Sequence, residues 1–316
     1  MPKKIVKAFA PGAISSFFEI HNTNPDGTPI TNLERMGARG GGFGLSCGVH
    51  TKVTVENAPE NGVQIFINGQ AAEAKVTRNV TQTLLSQTAT KCAVTVEHQI
   101  DVPVGMGFGT SAGGALTTAL ALKEALSLPL TYNQIGKIAH LAEIQSQTGL
   151  GTVSSLTVGG GLILVTEPGA PGVCQVDRIP IKPDYYIVAG FYNTKISKTL
   201  LSSPQRKEEI NRCGKQTLQQ ILQEPSLENF LASCWMFAQN AGFASDDVRE
   251  LVRLAVGAGA VGAAQNMLGE AVHAVVREEN VVSVAEAFKQ VLPEKQVLKC
   301  KVDFQGARLI GDEEAI

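Results

Sequence analysis

The sequence has little of several features that would assign it to common classes of protein. Its 316 residues carry a formal net charge of −2 and no block of lysine and arginine, so charge gives no reason to expect nucleic acid or an acidic membrane surface as partner. No uncharged apolar run is long enough to span a bilayer. The N-terminal residues include no long apolar segment, so we expect no signal peptide.

The six cysteines also lack a recognisable spacing. None stands at Cys-x-x-Cys distance from another, so a structural zinc site is not expected. Without a signal peptide, we interpret them as reduced thiols of a cytoplasmic protein. Aromatic residues make up only 5% of the chain, whereas glycine is abundant with 32 residues. This composition is typical of enzymes that bind substrates with glycine-rich loops, and the length allows one large domain or two medium ones.

One glycine-rich segment is the most informative part of the chain. A strand-like segment at 93–100 precedes the run PVGMGFGTSAGGA at 103–115, and an apolar helix is predicted over 111–126. The alternating glycines let the backbone turn its N–H groups toward a bound group, and the helix N-terminus adds free N–H donors and a positive dipole end. These features predict an anion site, and the expected anion is a nucleotide phosphate.

Two familiar phosphate motifs do not fit this segment. No Gly-Lys-Ser/Thr follows, which excludes a Walker A loop, and the strictly alternating glycines match a dinucleotide fingerprint poorly. The full string resembles instead the phosphate loop of the GHMP kinases, whose pattern is Pro-x-x-x-Gly-Leu-x-Ser-Ser-Ala, with Phe for Leu and Thr for the first Ser. The resemblance implies that ATP binds to Pro103, Gly105, Gly107, Phe108, Gly109, Thr110, Ser111 and Ala112.

A predicted helix over 132–146, which begins with a Thr131/Gln134 capping box, carries Glu143. GHMP kinases usually place a carboxylate here that helps hold Mg²⁺ with the loop hydroxyl. The resemblance therefore implies that Ser111 and Glu143 are catalytic residues and Mg²⁺ ligands. One carboxylate and one hydroxyl suit a hard cation that keeps several waters. A surface ion pair with His140 is the alternative for Glu143.

The segment at 148–155 departs from the family. Many GHMP kinases have an Asp that acts as base or orients the acceptor hydroxyl, where this chain has Thr152; no Asp or Glu occurs from 144 to 166. Thr152 is nevertheless a third catalytic candidate, because phosphoryl transfer depends mostly on positioning and charge neutralisation. A carboxylate from elsewhere, Glu19 or Glu34, is one alternative. A nucleotide-binding regulator that has lost catalysis is another.

Three strings resemble the branch of this family that acts on pantoate: ISSFF at 14–18, RGGG at 39–42 and TGLG at 148–151. A carboxylate on the acceptor calls for a bidentate cation, which makes Arg39 the first candidate and Arg35 the second. Homoserine or mevalonate remains an alternative acceptor. The other predicted acceptor-binding residues are Ser15, Glu19, Ser197, Lys198 and Thr199, with Gly262 from a glycine motif at 257–269 that resembles the family's C-terminal motif.

The mixture of strands and helices without strict alternation favours an α+β fold. The resemblance implies a two-domain GHMP kinase fold, with the active site in the cleft between an ATP-binding domain at 1–178 and a C-terminal domain at 179–316, and a homodimer. The pattern of residues further predicts a first strand at 5–10 ended by Pro11-Gly12, a loop at 40–44, helices at 204–222, 226–242, 245–256 and 265–277, and a final hairpin at 297–310.

Overall fold

The computed structural model describes residues 3–195 and 203–311. Their strands are β1 (Lys4–His21), β2 (Gly37–Asn57), β3 (Gly62–Ile67), β4 (Gln70–Ala71), β5 (Cys92–Ile100), β6 (Leu162–Glu167), β7 (Gln175–Ile179), β8 (Tyr185–Lys195), β9 (Gly262–Gln265), β10 (Gly269–Arg277), β11 (Val297–Lys301) and β12 (Arg308–Ile310). Their α-helices are α1 (Lys75–Leu85), α2 (Thr110–Ala125), α3 (Tyr132–Ser146), α4 (Thr152–Val158), α5 (Pro204–Gln223), α6 (Leu227–Asn240), α7 (Asp246–Gly257) and α8 (Val281–Lys289).

These strands form two sheets, as expected for an α+β protein. The larger sheet has eight strands in the order β12-β1-β2-β5-β3-β4, and β6 and β7 extend it from β2. The smaller sheet has the order β11-β8-β10-β9. The chain leaves the larger sheet after β7, close to the predicted boundary at residue 178, but β12 returns to it. The division into domains at that residue stays a prediction.

Three apolar clusters hold the layers together. Helices α1, α2 and α3 cover one face of the larger sheet, and α7 and α8 cover one face of the smaller sheet. The third cluster is shared by both sheets and by α5 and α6. In it, Phe17 of β1 and Phe43 of β2 lie 6.2 and 5.6 Å from Phe230 of α6, measured between ring centroids. The facing sides of the two sheets are therefore parts of one core.

Several local predictions are confirmed. Helix α3 begins with the expected capping box. The Thr131 side chain accepts a hydrogen bond from the Gln134 N–H, and the Gln134 side chain accepts one from the Thr131 N–H. The predicted strand at 93–100 and the helices at 111–126, 204–222, 226–242 and 245–256 are all present, to within a few residues. No helix in the described ranges is long and apolar enough to cross a membrane.

Two predictions about glycine-containing segments are wrong. Pro11-Gly12 does not end the first strand, because β1 continues to His21 with register shifts on the way. Gly40–Gly44 is not a loop but part of β2, where residues 40–43 lie between β1 and β6. A Cβ at Gly42 would overlap the carbonyl oxygen of Ile14 on β1. Glycine in this strand thus permits close backbone approach rather than a turn.

Two predictions about the C-terminal part are also wrong. Residues 265–277 are not a helix, because they comprise the last residue of β9, a turn and the whole of β10. Strand β10 is buried along most of its length, and a continuous apolar run of this kind cannot be told from a buried helix by its period. The predicted hairpin at 297–310 does not form, because β11 pairs with β8 and β12 pairs with β1. Helix α4 was not predicted.

The interpretation of all cysteines as free thiols is wrong for two of them. Cys47 and Cys300 form a disulfide across 253 residues of sequence, and the other four cysteines are free. Cys47 lies in a bulge of β2, because the pairing with β1 steps from Pro11–Gly48 to Gly12–Leu45. Bulges re-aim the side chains they contain, and this one brings a cysteine of the larger sheet to a cysteine of the smaller sheet.

Candidate active site

The loop between β5 and α2 has the backbone conformation that its glycines predict. Gly105, Gly107 and Gly109 have φ angles of +81°, +80° and +64°. These values lie in the left-handed region, which residues with a Cβ enter only at a cost. Left-handed residues that alternate with ordinary ones build the concave nests of N–H groups that bind anions. Helix α2 starts directly after Gly109, so its free N–H donors adjoin the same loop.

The residues between these glycines anchor the loop. Met106 and Phe108 are buried, and the Phe108 ring lies 6.1 Å from the ring of Phe191 on β8. The carbonyl oxygen of Phe108 accepts a hydrogen bond of 3.0 Å from the N–H of Ala13 on β1. The larger Phe in place of the family's Leu therefore packs against the smaller sheet. The glycines set the shape of the loop, and the apolar residues fix its position.

Ser111 and Glu143 are brought together as predicted. The Ser111 hydroxyl, in the first turn of α2, donates a hydrogen bond to Oε1 of Glu143 on α3. Thr148 donates to the same oxygen at 2.6 Å. Glu143 is only 4% exposed, and burial raises the pKa of its carboxyl, which the two hydroxyl donors only partly offset. The ion pair with His140 does not form, because the His140 ring bonds to the carbonyl oxygen of Met36.

The second oxygen of Glu143 lies beside Gly149. A Cβ on Gly149 would lie 2.5 Å from Oε2, so the absence of a side chain there keeps this oxygen clear. Carboxylate and hydroxyl oxygens are hard ligands, and Mg²⁺ in kinases takes one or two of them together with phosphates and waters. The residues present at Ser111 and Glu143 therefore fit a magnesium ion.

Thr152 lies against the phosphate loop. It is the first residue of α4, and its methyl carbon would lie 3.0 Å from a Cβ on Gly109. Its neighbour Gly151 packs against Ala38, near the start of β2. The fold thus brings the segment at 148–152 to the loop, as the family pattern requires, with a threonine at the position where many members carry Asp.

Two of the charged residues predicted from sequence, Arg39 and Glu19, are paired with each other. Arg39 on β2 donates to the Thr166 carbonyl oxygen, to Glu19 on β1 at 3.4 Å, and to both carboxylate oxygens of Glu167. Burial by itself would raise the pKa of Glu19, but the hydrogen bonds and charges of His21 and Arg39 outweigh it and lower the pKa. Arg39 is therefore engaged in ion pairs within the protein.

The alternatives Glu34 and Arg35 lie in the segment between β1 and β2. Glu34 pairs with Lys137 of α3 at 2.9 Å, whereas Arg35 is exposed.

Comparison with known proteins identifies the family. Residues 74–160 match the sequence profile of the GHMP kinases N terminal domain. Pantoate kinase from Methanocaldococcus jannaschii is 30% identical to this chain over 285 residues, which cover 89% of this chain and 96% of that protein. The chain belongs to the GHMP kinase family.

Two further similarities extend over nearly the whole of this GHMP kinase. Pantoate kinase from Thermococcus kodakarensis is 29% identical over 294 residues, covering 91% of this chain and 92% of that protein. The solved structure of a phosphotransferase related to the CoA biosynthesis pathway matches with a TM-score of 0.83 and 26% identity, over 97% of this chain and 98% of that chain.

The C-terminal glycine motif of this GHMP kinase reaches the phosphate loop through its second half. A Cβ on Gly107 would lie 2.9 Å from the Met267 carbonyl oxygen, and a Cβ on Gly269 would overlap the Met106 carbonyl oxygen. Gly262 lies in β9 instead, where its Cα faces Leu231 of α6. The structure therefore brings residues 266–269, and not Gly262, against the loop.

The remaining predicted acceptor residues are placed only in part. Ser15 lies on β1, and its carbonyl oxygen accepts a hydrogen bond of 2.7 Å from the Met267 N–H. The strand that carries Ser15 is thus tied to the turn that touches Gly107. Ser197, Lys198 and Thr199 lie outside the described residues.

A buried polar chain beside the loop was not predicted. Ser16 bonds to Nε2 of His273 at 3.0 Å, and Nδ1 of His273 bonds to Oδ1 of Asn266 at 2.8 Å. All three residues are fully buried, and burial lowers the pKa of His273 to about 3. The chain is therefore uncharged at neutral pH. It links β1 to the turn at 266–269, and no sequence signal marks it because its members are far apart.

Proposed function

We propose that this GHMP kinase is a pantoate kinase, which transfers the γ-phosphoryl group of ATP to the primary hydroxyl of (R)-pantoate to give 4-phosphopantoate for coenzyme A biosynthesis. The similarity to archaeal pantoate kinases along about nine-tenths of the chain supports the acceptor. The main support for phosphoryl transfer as the reaction is the hydrogen bond between Ser111, at the start of α2, and Glu143 of α3, beside three left-handed glycines.

The phosphates of ATP would lie over residues 105–112. There the loop N–H groups and the N-terminus of α2 offer donors and a positive dipole end for an anion. Ser111 and Glu143 would hold Mg²⁺, which neutralises phosphate charge when it is bound. Thr148 holds Oε1 of Glu143 at 2.6 Å and so fixes the direction of the carboxylate. These residues orient the reacting groups before transfer.

No strong base is needed at position 152 in this mechanism. The Thr152 hydroxyl does not ionise at neutral pH, so it can orient the acceptor hydroxyl but cannot take its proton as a carboxylate does. In a loose transition state the acceptor proton is lost late, to water or to the transferred phosphoryl group. Catalysis then rests on positioning and on charge neutralisation.

For the acceptor, we propose Ser15, Glu19 and Arg39 from the larger sheet and, from the family resemblance, Ser197, Lys198 and Thr199. Arg39 can bind the carboxylate of the acceptor only if that carboxylate replaces Glu167 as the ion-pair partner of Arg39. The Glu167 side chain is 50% exposed, and an exposed partner of this kind contributes little to stability, so the exchange costs little. A homodimer and a cytoplasmic location belong to the same proposal.

ADP release tests this proposal. The protein is assayed with ATP and Mg²⁺ against (R)-pantoate, pantothenate, mevalonate and homoserine, and the product is identified by mass. We expect turnover with pantoate alone. Turnover with another acceptor would keep the mechanism and reject the substrate. ATP binding without any turnover would favour the second candidate, a nucleotide-binding regulator, for which Thr152 in place of Asp is the specific observation.

A further inference from the structure

The Cys47–Cys300 disulfide joins the two sheets of the enzyme. Cys47 belongs to the bulge of β2, in the larger sheet, and Cys300 to β11, in the smaller sheet. Cys47 is partly exposed, whereas Cys300 is buried. In reducing compartments, the disulfides that do form are mostly transient bonds with a catalytic or redox-sensing role.

The bulge that carries Cys47 is close to the phosphate loop. The Cys47 carbonyl oxygen would lie 2.9 Å from a Cβ on Gly12 of β1. The next residue, Ala13, donates its N–H to the Phe108 carbonyl oxygen at 3.0 Å, and its Cβ would lie 2.8 Å from a Cβ on Gly109. Only two residues of β1 therefore separate the disulfide-bearing bulge from the loop.

The sheets are also joined at this point without the covalent bond. The Lys301 N–H donates to the Ser46 hydroxyl at 3.0 Å. Leu45 and Val302 form a β-bridge, and the Asp303 N–H donates to the Gly44 carbonyl oxygen at 2.9 Å. The disulfide is therefore not needed to bring β2 and β11 together. What it adds is a covalent tie at Cys47, the bulge residue whose carbonyl oxygen approaches Gly12.

We propose that Cys47–Cys300 is a thiol–disulfide modification site that controls the phosphate loop. With the bond formed, the bulge supports Gly12 and Ala13 and holds the loop in the conformation that binds nucleotide. With the bond broken, the bulge moves more freely and nucleotide binds more weakly. This inference rests on the proposed function in taking ATP as the nucleotide and the cytoplasm as the location.

The reaction is an exchange with a dithiol. One thiolate of the dithiol attacks the sulfur of Cys47, the partly exposed residue of the pair, which forms a mixed disulfide and releases Cys300 as a thiolate. The second thiolate of the dithiol then displaces Cys47 and closes the dithiol into its own disulfide. The two protons of the dithiol end on Cys47 and Cys300, so the protein gains two electrons and two protons.

The test compares the oxidised and reduced forms of the whole protein, with dithiothreitol as the dithiol. Thiol counting after denaturation must find four free thiols in the oxidised form and six after reduction. The dissociation constant of ATP is then measured by calorimetry. We expect reduction to raise it about fivefold or more, a typical size for coupling between sites, with a smaller change in the KM of the acceptor.

Variants separate this effect from other actions of the reductant. Cys47→Ser and Cys300→Ser should bind ATP like the reduced wild type and should not respond to dithiothreitol. Cys174→Ser is the matched control, because Cys174 is the partly exposed member of the four free cysteines, and this variant should keep the full response. If a serine variant fails to fold, the reduced wild type supplies the same comparison, with its melting temperature recorded.

Two results would overturn the proposal. One is six free thiols in protein prepared under air without reductant. The other is an ATP dissociation constant that changes by less than about fivefold on reduction, the lower end of typical coupling between sites, since the bond would then not control the loop. ATP binding by the oxidised protein without ADP release from pantoate would reject the proposed acceptor, but the effect of reduction on ATP binding would still be decided.

Discussion

The phosphate loop and the glycine run of β2 use the same residue for different reasons. Gly105, Gly107 and Gly109 all have positive φ angles, whereas none of the glycines at 40, 41, 42 and 44 does. The loop glycines alternate with buried Met106 and Phe108, and the strand glycines are nearly contiguous. Glycine in the strand leaves room for the neighbouring strands β1 and β6. Glycine at the loop provides a backbone conformation and, at Gly107 and Gly109, also leaves room for the turn at 266–269 and for β1.

This difference decides what a substitution would damage. Gly105 is the exposed glycine of the loop, so a change there should affect nucleotide binding before it affects folding. The glycines of β2 lie within the core of the larger sheet, where an added atom has no space and must push strands apart. The four predictions below test this contrast, beginning with the largest expected effect.

Replacing a strand glycine should destabilise the protein strongly. In Gly42→Ala, the new Cβ would overlap the Ile14 carbonyl oxygen of the paired strand, and we expect a loss of about 3 kcal/mol or more in the free energy of unfolding. Urea unfolding measures it. Gly62→Ala is the control, because a Cβ there meets no atom within 4 Å. Equal stability of the two variants would contradict the close-approach explanation.

Removing the charge beside the loop should affect catalysis and leave folding intact. Glu143→Gln keeps an oxygen for the hydroxyls of Ser111 and Thr148 but removes a buried negative charge, so stability should not fall. We expect kcat/KM for ATP to fall about a hundredfold, as when one electrostatic contact to the reacting groups is lost.

Steady-state kinetics and the melting temperature together check this expectation. Glu124→Gln on the exposed part of α2 is the matched control, and its kinetics should resemble those of the wild type. Wild-type kinetics in Glu143→Gln would show that this carboxylate is only structural.

Acid should destabilise the folded protein, because it buries one neutral histidine beside α2, which follows the phosphate loop, and another beside the glycine run of β2. A Cβ on Gly114 of α2 would lie 3.5 Å from the His98 ring, and Phe43 of β2 packs against His273. Burial lowers the pKa of His98 to about 4 and that of His273 to about 3. As the pH falls below about 6.5, these histidines become protonated in the unfolded chain but stay neutral in the folded protein. The free energy of unfolding therefore decreases.

At pH 5.5 the expected loss is on the order of 1 kcal/mol for each of the two histidines relative to pH 7.5. Urea unfolding at both pH values measures it. His98→Gln can still bond to Thr51 and Thr77, the present partners of His98, and it should remove about 1 kcal/mol of the loss, which is the share of His98. An unchanged pH dependence in that variant would show that other groups cause the acid sensitivity.

Replacing an exposed loop glycine should have the smallest effect on folding. Gly105 is exposed and has a φ of +81°, so Gly105→Ala places a Cβ on a left-handed residue, which costs about 1 kcal/mol of stability. The KM for ATP should rise while the KM for the acceptor stays constant. A rise in both constants, or in neither, would show that the loop glycines do not serve nucleotide binding separately.

The predictions that succeeded from sequence are those with local causes. A capping box is closed by residues three apart, and it placed the start of α3 correctly at Tyr132. The left-handed conformation of Gly105, Gly107 and Gly109 follows from the absence of a Cβ in an alternating pattern. The Ser111–Glu143 contact was available only through the family resemblance, because 32 residues separate the two in sequence.

The predictions that failed depend on partners distant in sequence. The run at 265–277 has no turn signal strong enough to separate two strands from a helix, and its pairing with β8 decided the outcome. The two strands of the predicted C-terminal hairpin, β11 and β12, belong to different sheets. No ion-pair partner of Arg39 is predicted from the sequence, but the pairing of β1 with β2 places Arg39 directly opposite Glu19.

By itself the sequence determined the α+β character, the conformation of the phosphate loop and the start of α3, because these follow from backbone freedom and from contacts a few residues long. Only the tertiary structure decided which glycines permit close packing, which cysteines pair and which carboxylates neutralise Arg39. Those outcomes depend on strand register and on the bulge of β2, and register is set by the packing of the whole sheet rather than by any single segment.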